Sequence, residues 1–599
     1  MEQVKSEIRP PVPTYPIEDL PGTLPLAQVD QNVDHEAAAV SLLKDLEHLN
    51  ADSLADNAMW RDACSMTGTL RTFNGPEQIV SVWRKLYAER RPHEFQIIIG
   101  SSKVVQMGDG YSWVQAKFSF KTAGPPATLS QGQIGIVPDP TSTSGWRIWL
   151  ITTVLEQLQG RPGPDQLQVD PVTRPEMNGG PDGQFLECVI IGAGFAGLCL
   201  AGRLKAMGIN HVIIERNARI GDNWINRYES CTYHTSKYFS DLPFGRIFTD
   251  GDYPYYLGSK DLARGFQEYV DKFHLDVWLS SELRTASFNE DDQDWDLQVA
   301  AGGRVKNVKC AHLVFAIGIG WAPTIPKLAN RELFKGRVLH SADYKASHAW
   351  KGEAGVVVGT ANTAHDVAAD MVDAGLSSVT MVQRSRTRMY PIFYKPVAIY
   401  NTNTNLPEAD RDLITVPLAV IRKMSLIGTR RAVNQDHARF DGLESVGFRV
   451  ERYCDLWKAL GERLGGHYQD VGCSAKVAAG LIKVKSDAKA VSYIKSGIKF
   501  SDGSTLDADV IVFCTGFETN IRKEVAKFLG PEVANKLDDC WGIDDEGEIR
   551  GVFKPSSCQN LWFTGGGVLH ARYYSRFIAL QIQASVVGQP LPVYTKKTE

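Results

Sequence analysis

The sequence predicts an α/β protein with two dinucleotide-binding units, preceded by a smaller α+β unit. Two turns of nucleotide-binding spacing, each between an apolar strand and a helix, begin at Gly192 and Gly359. Residues 35–157 instead contain two helical patterns and three strand-like stretches. A chain of 599 residues is long enough for about three to four domains.

The composition favours a protein of the cell interior that acts on small molecules. The 65 Lys and Arg residues are balanced by 69 Asp and Glu residues, so the net charge of −4 offers no basic field for nucleic acid or an anionic membrane. The ten cysteines contain no C-x-x-C pair, which argues against a zinc site or a disulfide framework. No apolar run reaches the length of a membrane span, about 18 residues. We therefore expect a soluble, cytoplasmic protein without a metal.

Two proline-containing stretches divide the N-terminal part of the chain. Residues 1–34 carry six prolines among polar and acidic residues, which predicts a flexible arm. Residues 158–183 have the proline and glycine content of a linker. The α+β unit lies between them, at residues 35–157.

The N-terminal unit combines helical and alternating patterns. The segments HEAAAVSLLKDLEHLN and GPEQIVSVWRKLYAER have helical periodicity, whereas EFQIIIG, SWVQAKFSF and GWRIWLITTV predict strands. This order and the motif WRDACSMTGTLRTFNG resemble the SnoaL-like, or nuclear transport factor 2-like, cone fold. Asp62 beside Trp60 is then either a pocket acid or, as we favour, a surface-loop residue in a domain used for packing or dimerisation.

The first turn has the spacing of a Rossmann nucleotide site. Gly192, Gly194 and Gly197 suit a tight turn, a close approach of the backbone to a pyrophosphate, and close helix packing. The next strand ends in Glu215, where an acid can accept hydrogen bonds from ribose hydroxyls. The same carboxylate would repel a 2′-phosphate, so the pattern predicts FAD or NAD at this site and not NADP.

The second turn, GTANTAHD, repeats this spacing with two alanines. Its members are Gly359, Ala361, Asn362, Thr363 and Ala364. Ala361 places a Cβ where the pyrophosphate would approach most closely, so we expect a more loosely held ligand, as suits an exchanging cosubstrate.

The strand after the second turn ends in cations where the first ends in an acid. Arg384, Ser385 and Arg386 stand where the adenosine ribose should lie, and they can bind a 2′-phosphate. The contrast with Glu215 predicts NADPH at the second site. The alternative is a solvated charged turn that holds no ligand.

Downstream of the first turn the chain resembles the flavin-containing monooxygenases. The closest matches to the R-x-x-x-x-G-x-x-W-x-x-x-R-Y pattern of their FAD site are Arg216, Gly221, Trp224, Arg227 and Tyr228. The resemblance implies FAD as the first nucleotide, with Arg216, Trp224 and Arg227 among the residues that bind it.

A second motif of this family lies between the two turns. Phe334, Gly336, His340, Tyr344 and Lys345 match the pattern F-x-G-x-x-x-H-x-x-x-[FY]-[KR]. Ala349 departs from a further position that is acidic or proline in the family. A typical Baeyer-Villiger monooxygenase would have Trp followed by Pro or Asp in place of Tyr344 and Lys345, which disfavours that class.

Two later segments resemble those with which the family crosses between its cofactor domains, and a third resembles its return segment to the flavin. FAIGIGWAPTIP contains Gly318, DADVIVFCTGFETN contains Thr515 and Gly516, and LWFTGGGVLHARYYSRFIALQI contains Gly566. Ile317 replaces the usual Thr in the first segment. The resemblance implies that these four residues border the cofactors.

The resemblance covers about residues 183–590 and implies two Rossmann-like domains of the glutathione reductase-like arrangement. We place the FAD-binding domain at 184–345 and 516–599, and the NADPH-binding domain at 346–515 with a helical insertion at about 395–475. The insertion is expected to cover the route of the substrate.

The resemblance further implies an NADPH-dependent FAD monooxygenase. In that family one atom of O2 is transferred to a small organic substrate through a C4a-hydroperoxyflavin that is kept from water. N-oxygenation, S-oxygenation and oxidative decarboxylation of an oxo acid are all open. A Baeyer-Villiger oxygenation, a flavin NADPH oxidase and a non-catalytic flavin-binding module are the alternatives. A homodimer is compatible with the sequence.

His234 is the candidate catalytic residue. Many members of the family place an Asn near the flavin, three residues before a Lys, and the matching position relative to Lys237 is His234. The segment YHTSKYFSDLP resembles the pattern of plant indole-3-pyruvate monooxygenases, which implies a histidine that bonds the flavin or tunes its oxygen adduct. A structural histidine packed in the loop is the alternative.

Overall fold

The computed structural model describes residues 7–108, 110–167, 185–318, 322–390, 399–463, 465–519 and 521–596. Within these ranges, two seven-stranded sheets and one five-stranded sheet form the framework, which confirms a mixed α/β fold. The predicted linker lies outside the described residues from residue 168 onward.

The N-terminal unit is a largely antiparallel sheet with two helices. Its elements are α1 (His35–Leu43), β1 (Leu54–Ala63), β2 (Leu70–Asn74), α2 (Pro76–Arg90), β3 (Pro92–Ile97), β4 (Lys103–Gly108), β5 (Tyr111–Thr122), β6 (Thr128–Pro138) and β7 (Trp146–Leu158). The strand order is β2-β1-β7-β6-β5-β3, with β4 on β5 and with β1 parallel to β7. The sequence pattern missed β1 because its last six residues are all buried and therefore do not alternate. The cone-fold assignment stays a prediction.

The next unit begins with the expected strand, turn, helix and strand. Its elements are β8 (Phe185–Ile191), α3 (Phe195–Ala206), β9 (His211–Ile214), α4 (Asp222–Ile225), β10 (Thr232–Ser236), α5 (Lys237–Ser240), β11 (Tyr256–Gly258), α6 (Ser259–Phe273), β12 (Val277–Trp278), β13 (Ser281–Asn289), β14 (Asp294–Ala301) and β15 (Arg304–Phe315). Strands β12, β9, β8 and β15 are parallel neighbours, which brings the turn after β8 to the carboxyl edge of the sheet.

A second parallel sheet follows, in the order β16-β26-β17-β18-β22. Its part of the chain contains β16 (Arg337–His340), β17 (Ala354–Val358), α7 (Asn362–Asp373), β18 (Ser378–Val382), β19 (Thr387–Tyr390), α8 (Leu406–Ile414), α9 (Leu418–Gln435), α10 (His437–Ser445), β20 (Val450–Glu451), α11 (Leu456–Lys458), β21 (His467–Gln469), α12 (Cys473–Ala478), β22 (Lys483–Lys485), β23 (Ala490–Ile494), β24 (Gly497–Phe500), β25 (Thr505–Asp507) and β26 (Val510–Phe513). The helices α8 to α12 lie in the predicted insertion, whose first residues, 395–398, are outside the described ranges.

The boundary between the two nucleotide units differs from the expected one. We predicted it between residues 345 and 346, yet β16 pairs with β26 and so belongs to the second sheet. The second unit therefore begins before Arg337. A strand of four residues is recognised by its distant partner rather than by its own pattern, which explains the error.

The C-terminal part of the chain returns to the first nucleotide unit. It contains α13 (Ile521–Lys536), β27 (Leu561–Phe563) and α14 (Val568–Val586). Strand β27 pairs in parallel with β15, and α14 is buried continuously from Val568 to Ala584. None of the helices in the described ranges is both long and apolar enough to cross a membrane.

The predicted flexible arm is instead docked on this C-terminal part. Ile17 and Leu24 are buried, the amide of Tyr15 donates to the carbonyl of Ile543 at 3.0 Å, and the amide of Val12 donates to a carboxylate at 2.6 Å. Prolines hold a chain extended, so a few apolar side chains are enough to fix it. The expectation of a free arm was wrong for residues 7–34.

Helix α14 carries two arginines whose charges are buried among four parts of the chain. Arg572 donates from Nε and Nη2 to both carboxylate oxygens of Asp410, at 2.6 and 2.7 Å. Arg576 donates to Glu156 of β7 at 2.5 Å and to Asp165 at 2.7 Å. Because a buried charge is stable only when it is paired, these contacts fix the N-terminal unit and the insertion on α14.

Substitution of Asp410 by Asn should strongly destabilise the fold. Asp410→Asn leaves the charge of Arg572 buried and unpaired, which should lower the free energy of unfolding by about 3–5 kcal/mol. Asp412→Asn on the same helix is the control, because Asp412 is 38% exposed in its pair with Lys117 and should cost about 0–1 kcal/mol. Denaturant unfolding of both variants measures the difference, and equal losses would contradict the role given to Arg572.

Candidate functional site

The first glycine turn opens onto a cleft of about 1000 Å3, counted with its open mouth. Gly192 has φ 107°, and a Cβ there would lie 2.8 Å from the carbonyl oxygen of Ala316. A Cβ on Gly197 would collide with the carbonyl of Gly192. A Cβ on Gly194 would meet only Asn223, at 3.8 Å, and would project into the cleft. The backbone is therefore bare where a pyrophosphate would lie.

The same turn presents a helix N-terminus and a carboxylate to the cleft. Helix α3 starts after Gly194 without a side-chain cap, so its first N–H groups are available to an anion. Glu215 lines the cleft, with Oε2 accepting from the Ala193 amide and Oε1 from the Asn217 amide, both at 2.8 Å. A carboxylate has about four acceptor positions, which leaves room for ribose hydroxyls. These residues fit the adenosine diphosphate part of FAD.

The other residues predicted for the first site divide into two groups. Arg216, Gly318 and Gly566 line the cleft together with Glu215. Trp224 and Arg227 are not in the cleft lining among the described residues. They pack on each other instead, with the guanidinium of Arg227 4.4 Å from the centre of the Trp224 ring.

Sequence reasoning missed several residues of the cleft. Ser281, Glu282, Leu283, Glu524 and Phe528 line it in addition to the predicted set. They come from β13 and α13, which are distant in sequence from the glycine turn and carry no motif. No local signal could have identified them.

The second turn repeats the backbone geometry of the first. Gly359 has φ 132°, and a Cβ there would collide with the carbonyl of Cys514. Ala361 is the N-cap residue of helix α7, and Ala364 is fully buried beneath the turn. Like α3, helix α7 has no side-chain cap, so its N-terminus can also meet a phosphate.

The cations after β18 differ in how they are held. Arg384, Ser385 and Arg386 are all exposed to solvent, as a ligand at the strand end would require. Arg386 donates from Nη1 to the carbonyl of Val450 at 3.1 Å and is therefore partly engaged within the protein. Arg384 is accordingly the better candidate for a 2′-phosphate.

The crossing segments bring Thr515 and Gly516 to the edge between the two units. The hydroxyl of Thr515 donates to the carbonyl of Thr324, and Gly516 has φ 82°. A positive φ of this size is one that glycine adopts at little cost. Both residues thus shape the crossing of the chain.

His234 lies at the junction of the two nucleotide units. Its Nε2 is 2.8 Å from a carboxylate oxygen of Asp366 on α7, and its Nδ1 is 2.8 Å from the carbonyl of Gln469. Tyr228 donates to the other oxygen of Asp366 at 2.8 Å, and the amide of Gln469 donates to Asn362 at 2.9 Å. Both ring nitrogens of His234 are therefore engaged within the protein.

The structure does not bring His234 to the described residues that line the cleft. Burial lowers the pKa of His234, but the hydrogen bond and the charge of Asp366 outweigh it and raise the pKa overall. Burial lowers the pKa of neighbouring His365 to about 3 and that of His467 to about 4, so both are neutral at physiological pH. Thr363, another predicted residue, lies in the first turn of α7, ahead of Asp366. A catalytic role for His234 stays a prediction.

Asp62 is a buried structural residue, not the surface-loop residue that we favoured. It accepts hydrogen bonds from the amides of Met66 and Thr67 at 3.0 and 2.8 Å, and from the hydroxyl of Thr153 at 2.5 Å. Burial raises the pKa of its carboxyl. The contacts hold the turn that follows β1.

The chain is similar to known oxidoreductases and monooxygenases. Residues 189–395 match the family model described as pyridine nucleotide-disulphide oxidoreductase. The chain is 24% identical over 394 residues to indole-3-pyruvate monooxygenase YUCCA8 of Oryza sativa subsp. indica, which covers 64% of this chain and 87% of that protein. It is 26% identical over 342 residues to indole-3-pyruvate monooxygenase YUCCA6 of Arabidopsis thaliana, over 56% of this chain and 76% of that one.

Solved structures of two monooxygenases are also similar. A flavin-containing monooxygenase from Stenotrophomonas maltophilia has a TM-score of 0.45 at 15% identity, over 67% of this chain and 99% of that chain. Polycyclic ketone monooxygenase from the fungus Thermothelomyces thermophila has a TM-score of 0.48 at 16% identity, over 70% of this chain and 80% of that chain.

Substitution of His234 by Gln should change stability in a pH-dependent way. The pKa of His234 is raised above the usual 6.5, so the stability from its pair with Asp366 is present below about pH 6.5 and is lost as the pH rises through the folded-state pKa. We expect the thermal midpoints of the wild type and His234→Gln to differ most at low pH and to converge at higher pH. Thermal scans between pH 5.5 and pH 8 check this.

The control for that series is His211→Gln. Burial lowers the pKa of His211 to about 4, so this histidine is neutral throughout the range. Its pKa returns towards the usual 6.5 on unfolding, so the wild type loses stability as the pH falls below that value, and His211→Gln should gain on the wild type at low pH, the opposite of the trend expected for His234→Gln. A flat profile for His234→Gln, or one with the trend of His211→Gln, would contradict the charged pair with Asp366.

Proposed function

We propose that this chain is an NADPH-dependent monooxygenase that holds FAD at the first glycine turn. FAD and NADPH are the cofactors that the comparisons support. One observation carries the assignment of the sites: Glu215 lines the cleft at the first turn, whereas Arg384 and Ser385 are exposed at the matching place after the second. A carboxylate suits unphosphorylated ribose, and a guanidinium suits a 2′-phosphate.

The residues of the first site bind and orient the flavin nucleotide. The N-terminus of α3 and the bare backbone at Gly194 hold the pyrophosphate, and Glu215 holds the adenosine ribose. Gly566 approaches the cleft from the C-terminal segment. When bound, FAD supplies hydride acceptance and oxygen activation, which protein side chains do not.

The overall reaction balances as substrate + O2 + NADPH + H⁺ → oxygenated substrate + NADP⁺ + H2O. NADPH supplies two electrons, one oxygen atom enters the substrate, and the other leaves as water. A disulfide reductase needs a pair of thiols beside the flavin, and no cysteine is among the described residues of the cleft lining.

His234 has a positioning role in this proposal. Its strand, β10, belongs to the first nucleotide unit, and its partner Asp366 lies one turn into α7, beside the second glycine turn. The contact therefore helps to fix the orientation of the two glycine turns relative to each other. The approach of NADPH to the flavin depends on that orientation. Direct contact of His234 with the flavin is the alternative.

Substitution of Arg384 by Ala should change the choice of the reductant. Loss of a charge-assisted contact to the 2′-phosphate should raise KM for NADPH about tenfold or more and leave KM for NADH unchanged. Arg304→Ala removes an exposed arginine of β15 in the other unit and serves as the control. Steady-state kinetics with both reductants measures the effect, and an equal loss for NADPH and NADH would rule out the assignment.

The fate of oxygen separates a monooxygenase from an oxidase. An oxidase releases one hydrogen peroxide for each NADPH with or without a substrate, whereas a monooxygenase diverts oxygen into the product. We expect that a substrate lowers the ratio of peroxide to NADPH well below one and that ¹⁸O from O2 enters the product as a single atom. Peroxide equal to the NADPH consumed, for every compound that accelerates NADPH oxidation, would favour the oxidase.

A further inference from the structure

A second, inner cavity lies where three parts of the chain meet, and it occupies about 480 Å3 counted with its opening. Arg61 of β1 reaches it from the N-terminal unit, Val416 and Trp457 from the insertion, and Trp541 and His570 from the C-terminal part. The N-terminal strap formed by residues 7–34 packs behind this wall, because Ile17 and Leu20 approach its backbone.

The inner cavity is separated from the nucleotide cleft by one layer of residues. Gly566 lines the cleft, whereas Trp541 and His570 line the inner cavity. A Cβ on Gly566 would lie 2.5 Å from the ring of Trp541 and 3.5 Å from the Cβ of His570. A molecule in the inner cavity would therefore lie next to the part of the cleft that Gly566 borders.

The charged groups of the inner cavity already neutralise each other. Arg61 forms two bonds of 2.8 Å with the carboxylate of Glu548 and also donates to the hydroxyl of Tyr574 at 2.9 Å. Its remaining nitrogen donates to the carbonyls of Ile414 and Val416. Arg61 is thus fully engaged and has no donor left for a carboxylate of a ligand.

Two polar atoms of the lining have no partner in the described residues. Nε1 of Trp457 and Nδ1 of His570 are buried without a hydrogen bond, in side chains of residues that are 8% and 7% exposed. Burial lowers the pKa of His570 to about 4, so this ring is uncharged at neutral pH. An indole N–H can only donate, and a buried donor without an acceptor is costly.

The remaining walls are mainly apolar. They consist of Leu413, Ile414, Val416, Leu418, Ile421, Leu460, Ile543 and Ile549 together with the tryptophans. A buried carboxylate on a ligand would need an unpaired cation, which the described lining does not offer. An uncharged acceptor, in contrast, would satisfy Trp457.

We propose that the inner cavity is the substrate site and that it admits compact, uncharged, largely apolar molecules with one hydrogen-bond acceptor. This inference rests on the proposed monooxygenase function, because it places the substrate beside the flavin cleft. It gives the N-terminal unit a part in the site, since Arg61 and its pair with Glu548 form one wall. It also disfavours anionic oxo acids as substrates.

The test compares two probes that differ in one terminal group, which is apolar in one probe and charged in the other. Phenylacetone carries a methyl group where phenylpyruvate carries a carboxylate, and calorimetry on the FAD-containing protein without NADPH measures the binding of each. We expect the ketone to bind at least tenfold more tightly than the oxo acid. Tighter binding of phenylpyruvate, or no binding of phenylacetone at millimolar concentration, would overturn the proposal.

Two variants locate the binding. Trp457→Phe keeps an aromatic ring and removes the N–H. It should weaken the binding of phenylacetone about fivefold and leave the binding of isobutylbenzene, which has no carbonyl oxygen, unaffected. Val416→Phe should fill the cavity and weaken the binding of both compounds at least tenfold. Val491→Phe is the matched control, because Val491 is 42% exposed on β23 and its substitution should leave binding unchanged. Unchanged binding in both cavity variants would overturn the site.

Two separate measurements distinguish a wrong substrate site from a wrong overall function. Binding is measured without turnover, whereas anaerobic reduction of the flavin by NADPH is followed separately by its absorbance. Reduction by NADPH with no cavity-dependent binding would refute the substrate site alone. Cavity-dependent binding without reduction would refute the reductase step and leave the site standing.

Discussion

The two arginines buried in the last helix are the contacts on which the arrangement of the units depends. Arg572 and Arg576 draw in carboxylates from the insertion, from β7 and from the segment after it. Because an unpaired charge in the interior is strongly destabilising, α14 can be buried on all sides only when these partners are docked. The last elements of the chain therefore set the positions of the first.

The same helix also connects the two cavities. Helix α14 begins just after Gly566, at the nucleotide cleft, and carries His570 and Tyr574 along the inner cavity. The pair of Arg61 with Glu548 docks the N-terminal unit at this place. The position of the N-terminal unit thus has a physical consequence, because Arg61 and its partner Glu548 close one side of the space beside the cleft of the first glycine turn.

The two junctions of the molecule differ in their chemistry. Guanidinium groups stay charged at every accessible pH, so the charges that α14 contributes to its junction are permanent. The junction between the nucleotide units relies on His234 and Asp366, and imidazole changes its charge near neutral pH. A permanent junction beside the inner cavity and a titratable one between the nucleotide turns fit a protein whose cosubstrate must exchange.

The sequence by itself determined the two nucleotide turns, because the roles of Gly192, Gly197 and Gly359 follow from contacts with a strand and a helix only a few residues away. It also placed Glu215 and Arg384 at matching strand ends. Only the tertiary structure decided the partner of His234, which is 132 residues away, the sheet to which β16 belongs and the docking of residues 7–34. The inner cavity likewise gathers residues from Arg61 to Tyr574. Such contacts depend on the packing of distant segments, and no pattern within a short stretch of sequence contains that information.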